Sequence, residues 1–141
     1  MMLNLLKIAQ FTENEKFKDE AMRLEKAFSP TIQKVPTGFT GFLCALDYRI
    51  GPSFEIVIAG KSGDSETDKL IEAIRKIFIP NKTFVLHLED DEASDLIKII
   101  PSLKAKKMEN NQATAYVCSE GSCKTPTNDL NTFLGLLTHG K

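Results

Sequence analysis

The sequence predicts an α/β chain: a small three-stranded parallel sheet flanked by helices, preceded by an N-terminal helical hairpin. Three observations carry this. From Phe54 onward, short apolar runs rich in β-branched residues alternate with amphipathic stretches, in the order strand, helix, strand, helix, strand, helix. Right-handed crossovers between such strands give a parallel sheet covered by helices. Before residue 51 the apolar residues recur instead at the three- and four-residue spacing of helices. Two parts are therefore expected: a helical segment, residues 1–50, and a small α/β domain, residues 54–141.

The elements follow in order. Leu3 to Phe11 places Leu3, Leu5, Leu6, Ile8 and Ala9 near one helical stripe, broken at Phe11-Thr12-Glu13-Asn14. Glu13 through Phe28 reads as a second helix, with Phe17, Ala21, Leu24 and Phe28 spaced four, three and four apart. Pro30 is expected to end it, because proline lacks the N–H that continues a helix. Such a pair has an apolar face in need of a partner. Leu5, Leu6, Phe17 and Leu24 are expected to present it. Ser29 to Gly41, with two prolines and two glycines, reads as a connector. Gly38 to Ile50 is a third helix with Phe42, Leu43, Ala45, Leu46 and Ile50 on its stripe, and Gly51-Pro52 stops it. Cys44, among those apolar residues, is expected to be an inert buried thiol.

Phe54 to Ala59 (FEIVIA) is the first strand, and GKSGDS, residues 60–65, is the loop after it. Ser65 to Phe78 is the clearest helix, with Leu70, Ile71, Ala73, Ile74, Ile77 and Phe78 as its core face. Its acidic start and basic end suit the helix dipole, and Ser65 with Asp68 resembles a capping arrangement. Thr83 to Leu88 is the second strand, Ala93 to Ile100 a short helix, and Lys104 to Gln112 a polar stretch. Ala113 to Cys118 is the third strand, and Asn128 to Leu137 the last helix.

Composition bounds the function. The 141 residues are 42% hydrophobic and 26% charged, enough to bury a core, and the net charge is −1 with both signs interspersed. That balance excludes the basic surplus of a nucleic-acid footprint. No apolar run reaches the roughly 20 residues a membrane span needs, and no secretory leader is recognised, so a cytoplasmic setting is expected. Three cysteines do not make a disulfide framework. The adjacent Met1 and Met2 raise the expectation of a start placed inside a longer gene.

Ligands bind parallel sheets beyond the carboxyl ends of the strands. Those ends are expected to carry Gly60-Lys61-Ser62, His87 and Cys118, so Gly60, Lys61, Ser62 and His87 are the ligand-binding candidates. GKSGDS could cradle an anion at a helix N-terminus, but Glu55 stands where a phosphate loop needs its first glycine; a plain βα loop is the simpler reading. For His87 the simpler reading is a hydrogen-bonded histidine at the core's edge. The run Glu89-Asp90-Asp91-Glu92 could hold a hard cation, though such runs more often lie in solvent, and His139 is expected to do the same.

Cys118 and Cys123 enclose Ser119-Glu120-Gly121-Ser122. A redox dithiol motif usually has two intervening residues and opens a helix, which this pair does not. A zinc clip needs four ligands, and His87, His139 and distant Cys44 leave the set incomplete. Structural thiols, a reversible disulfide and a metal clip all remain open. Cys118 and Cys123 are thus redox candidates. No catalytic residue, cofactor or metal site is assigned, and no reaction is expected of the chain in isolation.

Four stretches, LNLLKIAQFTENEKFKDEAMRLEKAF, ALDYRIGPSFEIVIAG, IFIPNK and ATAYVCSEGSCKTPTNDLNTFLGLL, together resemble one family. It is that of the large thioredoxin-domain proteins of the spermatogenesis-associated protein 20 type, at their C-terminal end. The most specific match is Tyr116, Val117 and Cys118, with Cys123 and Pro126 following. The resemblance implies a parent with an N-terminal thioredoxin-like domain and an α/α toroid similar to sugar epimerases and glycoside hydrolases. Residues 1–50 would then be the toroid's last hairpins and residues 54–141 an appended unit. The family's own redox motif has no counterpart here. The expected role is a non-catalytic accessory or interaction domain, partnered by the rest of the parent or by self-association through residues 1–50. The alternative is an auxiliary dithiol at Cys118 and Cys123 serving the parent.

Overall fold

A computed structural model describes residues 1–89 and 95–138, in two units, Met1–Gly51 and Pro52–Lys141. The first holds three helices: α1 (Met2–Thr12), α2 (Glu15–Lys34) and α3 (Thr40–Ile50), with a 3₁₀ turn at Pro36–Phe39. Glu13 breaks α1 from α2 by taking a left-handed conformation, φ 54°. Asn14 then caps α2, its side chain accepting from the Lys16 N–H. α1 packs on both α2 and α3. Met2, Leu6, Ala21, Ala45 and Tyr48 are buried together, with Leu3, Leu5, Leu24, Phe42 and Leu46 around them.

Three expectations for this unit are corrected. Helix α2 runs through Pro30 to Lys34. Proline removes one helical N–H, but buried Ile32 anchors the turn beyond it, and Ser29 Oγ donates to the Glu25 carbonyl at 2.7 Å. The hairpin is a three-helix unit, so the face assigned to Leu5, Leu6, Phe17 and Leu24 is partnered: Leu6 is buried and the other three half-buried. The exposed large apolar residues are instead Met1, Ile8, Met22, Phe28, Val35, Leu43 and Ile50. Cys44 is exposed, because Ala45 and Tyr48 mark the inward face of α3.

The second unit holds β1 (Phe54–Gly60), α4 (Ser65–Lys76), β2 (Lys82–Leu88), α5 (Asp95–Ile99), a 3₁₀ turn at Pro101–Lys104, β3 (Thr114–Ser119), β4 (Ser122–Cys123) and α6 (Leu130–Thr138). The strands form one mixed sheet in the order β2-β1-β3-β4. β1 and β2 are parallel, joined through α4, but β3 runs antiparallel to β1, and β4 antiparallel to β3. The expected three-stranded parallel sheet is therefore corrected to a four-stranded mixed one. A parallel third strand needs a crossover that carries the chain back along the sheet, usually as a helix. Five-residue α5 rises only about 7 Å, against about 23 Å for a seven-residue strand. Accordingly β3 starts at Thr114, opposite Ala59, at the sheet end where β2 finished.

One sheet face is covered by α4 and α6. Ile56, Ile58 and Val117 meet Leu70, Ile74, Phe133 and Leu137 there. The other face carries Glu55, Val57 and Ala59 of β1, Thr83, Val85 and His87 of β2, and Thr114, Tyr116 and Cys118 of β3. All but Glu55 are buried, and Glu55 is half-buried. Helix α4 is capped by Asp64, not by the expected Ser65 and Asp68 pair. It also ends at Lys76, leaving Phe78 90% exposed. Among the described residues no helix is long and apolar enough to cross a membrane.

Candidate functional site: a disulfide across a hairpin

Ser119, Glu120, Gly121 and Ser122 form the turn that joins β3 to β4. Glu120 and Gly121 both take positive φ, 53° and 75°, the pattern of a two-residue type I′ turn, whose twist matches the strands it joins. Ser119 pairs with Ser122, which places Cys118 directly opposite Cys123. Lys124 N–H donates to the Val117 carbonyl, so the flanking pair is hydrogen-bonded and the cysteines occupy the closer, non-hydrogen-bonded position. The sulfurs are joined in a disulfide, with the Cα atoms 3.9 Å apart. Cys118 is 6% exposed, whereas Cys123 lies on the surface. Of the readings open from sequence, the reversible disulfide is the one that requires such a bond.

Across the sheet from Cys118, in register on β1, stands Glu55. Its Oε1 accepts from Lys106 Nζ in an ion pair whose side chains are 10% and 15% exposed for lysine and acid. Lys106 is held from both ends of its residue. Its N–H bonds to the Leu103 carbonyl, and its carbonyl accepts from His87 Nδ1 at 3.0 Å. Because a carbonyl only accepts, His87 carries its proton on Nδ1. Tyr116, next along the face, donates its phenol proton to the Lys107 carbonyl. Burial pushes the Tyr116 hydroxyl above its ordinary range, and the nearby Glu109 charge adds to that.

The antiparallel course of β3 separates the candidates that a parallel sheet would have gathered. Cys118 lies opposite Glu55, while His87 lies opposite Ala59, four residues or about 13 Å along β1. His87 therefore cannot complete a metal clip with the cysteines. Among the described residues no three His, Cys, Asp or Glu side chains gather as a metal site. Gly60, Lys61 and Ser62 sit at the His87 end. There the Asp64 carboxylate accepts from Thr67 N–H and Oγ1, where an incoming anion would bind, and Lys61 Nζ donates to Asn111 Oδ1. Those bonds, Thr67 N–H foremost, hold Asp64 below the usual carboxylate range. Gly60 is required by contact, since a Cβ there would lie 2.3 Å from Thr67 Oγ1. Glu89 accepts from the Met108 N–H; Asp90, Asp91, Glu92 and His139 lie outside the described residues. Sequence reasoning missed Glu55 and Lys106. The available signal was a lone carboxylate inside an otherwise apolar strand, FEIVIA.

Comparison with known proteins finds relatives of the chain. Over 126 residues the chain is 32% identical to spermatogenesis-associated protein 20 of Homo sapiens, 28% to that of Mus musculus and 29% to that of Rattus norvegicus. The chain is a homologue of spermatogenesis-associated protein 20. The match takes in 89% of this chain but 16% of the length of each spermatogenesis-associated protein 20 relative. No family model matches the chain, and no solved structure matches it at a significant level.

Proposed function

We propose that the chain acts as a non-catalytic accessory or interaction domain, at the C-terminus of a larger thioredoxin-domain protein and in a cytoplasmic setting. The observation that carries this is the match to relatives of which it spans only 16%. Residues 1–50 would be the end of an α/α toroid, and residues 54–141 the unit appended to it. The partner is the rest of the parent protein, or a second copy engaged through residues 1–50. Exposed Phe28 and Ile50 on the helical unit supply apolar contact for either. The test is sedimentation of the chain across concentration, together with capture by the human relative from which the matching 126 residues have been removed. Association that weakens in Phe28→Lys and Ile50→Lys variants is expected. A strictly monomeric chain that the truncated relative does not capture would overturn the proposal.

A second reading is favoured by one specific observation, the disulfide with one exposed end. Cys118 and Cys123 form an auxiliary dithiol that exchanges electrons with the parent protein. Exchange requires an accessible sulfur, and Cys123 is one. Counting free thiols before and after mild reductant tests it. One free thiol, Cys44, rising to three reversibly is the expected result. Three thiols in both states would remove this reading.

A further inference from the structure

We propose that Glu55 accepts the proton of Cys118 when the hairpin disulfide closes, and that Lys106 positions Glu55 for this; the proposal rests on the dithiol reading above. A charged pair this far from water costs desolvation energy, and apolar residues would pack the site as well. Glu55 and Lys106 stand on the one face that carries Cys118, with Glu55 directly opposite it. Opposed side chains on one face have Cβ atoms about 5 Å apart, within reach of a glutamate carboxylate. The other titratable groups on the face are more distant. Tyr116 opposes Val57, and His87 opposes Ala59; each donates to a backbone carbonyl of its own.

The two sulfurs divide the chemistry by exposure. In the oxidative direction the Cys123 thiolate attacks an external disulfide, forming a mixed disulfide and releasing one external thiolate. Cys118 is a buried thiol at this stage, and only a thiolate is nucleophilic. Its proton passes to the Glu55 carboxylate. The Cys118 sulfur attacks Cys123 Sγ, the bond to the external sulfur breaks, and the second external thiolate leaves. The proton on Glu55 is then released to that thiolate or to water. In sum, two protein thiols and one external disulfide give one protein disulfide and two external thiols. Reduction by an external dithiol runs the same steps backward, with Cys118 leaving as the thiolate and Glu55 returning the proton.

The experiment uses the full chain, reduced and then mixed with glutathione disulfide. Mass spectrometry of acid-quenched samples follows capture at Cys123 and closure onto Cys118 separately. With Glu55 as acceptor, wild-type closure is nearly independent of pH between about 6 and 8; a thiol losing its proton to solvent alone closes about tenfold faster per pH unit below its own pKa. Glu55→Gln is expected to slow closure at neutral pH about 100-fold, within the usual range for general acid–base catalysis, and to restore that slope. Capture at Cys123 should be unchanged. Because Glu55→Gln leaves Lys106 without its partner, the uncharged pair Glu55→Gln with Lys106→Met is measured beside it, and the wild-type pH profile needs no variant. A tenfold-per-unit slope in the wild-type chain, or unchanged closure in a folded variant, would overturn the role of Glu55 and leave the dithiol reading standing. If the reduced wild-type chain neither captures glutathione nor closes, the dithiol reading itself fails.

Discussion

At the scale of single residues, two titrations report on local contacts. Tyr116 is held above its ordinary value of 10.0 by burial and by Glu109. The folded state thus keeps the phenol proton more tightly than the unfolded chain does. Its stability contribution is complete below pH 10 and is lost as pH rises through the folded value. Alkaline melts should show the wild-type chain losing stability above pH 10 more steeply than Tyr116→Phe. At neutral pH the same substitution removes one net hydrogen bond, about 1 kcal/mol, and urea titration reads it. Asp64 behaves oppositely. Its pKa lies below 3.8 in the folded state, chiefly through the Thr67 N–H. Its contribution is present above 3.8 and fades as pH falls through the folded value. Asp64→Ala should lower the melting temperature at pH 7, and the gap from wild type should narrow in acid.

At the scale of elements, two glycines sit where a larger side chain is costly. Gly60→Ala drives a Cβ into the Thr67 side chain at the β1 end and should cost about 1–3 kcal/mol, the usual range for overpacking. Gly121→Val forces a β-branched residue to φ 75° in the hairpin turn; loss of about 1–2 kcal/mol is expected, with slower ring closure measured by the same quench method. Element types were legible because FEIVIA, TFVLHL and ATAYVC are short and apolar, while the α4 segment carries its apolar residues at helical spacing. Direction was not. The period-two pattern of β3 is the same whichever way the strand runs, so the antiparallel pairing with β1 is not written in it. The antiparallel course of β3 places Cys118 opposite Glu55 and away from the His87 end, and with it the identity of the candidate site changes. Pro30 misled for a related reason: its local cost was legible, but the anchoring of Ile32 was not.

At the scale of the whole molecule, the two units carry separate cores, one around Leu6 and Tyr48 and one around Ile58 and Phe133. Residues 52–141 expressed alone should unfold in one cooperative transition by circular dichroism, with m scaled to their own buried surface. A broad, non-cooperative melt of that piece would count against it as an independent unit. The short ring at the end of β3 bears on what such a unit tolerates. A disulfide stabilises by restricting the unfolded chain, and the restriction grows with the loop it closes. Here the closed loop runs only from Cys118 to Cys123, so breaking it forfeits about 2 kcal/mol by that relation, against the 5–15 kcal/mol typical of a folded domain. The short Cys118–Cys123 ring therefore predicts that the reduced chain keeps the β-sheet beneath it, which circular dichroism of the chain with and without reductant checks.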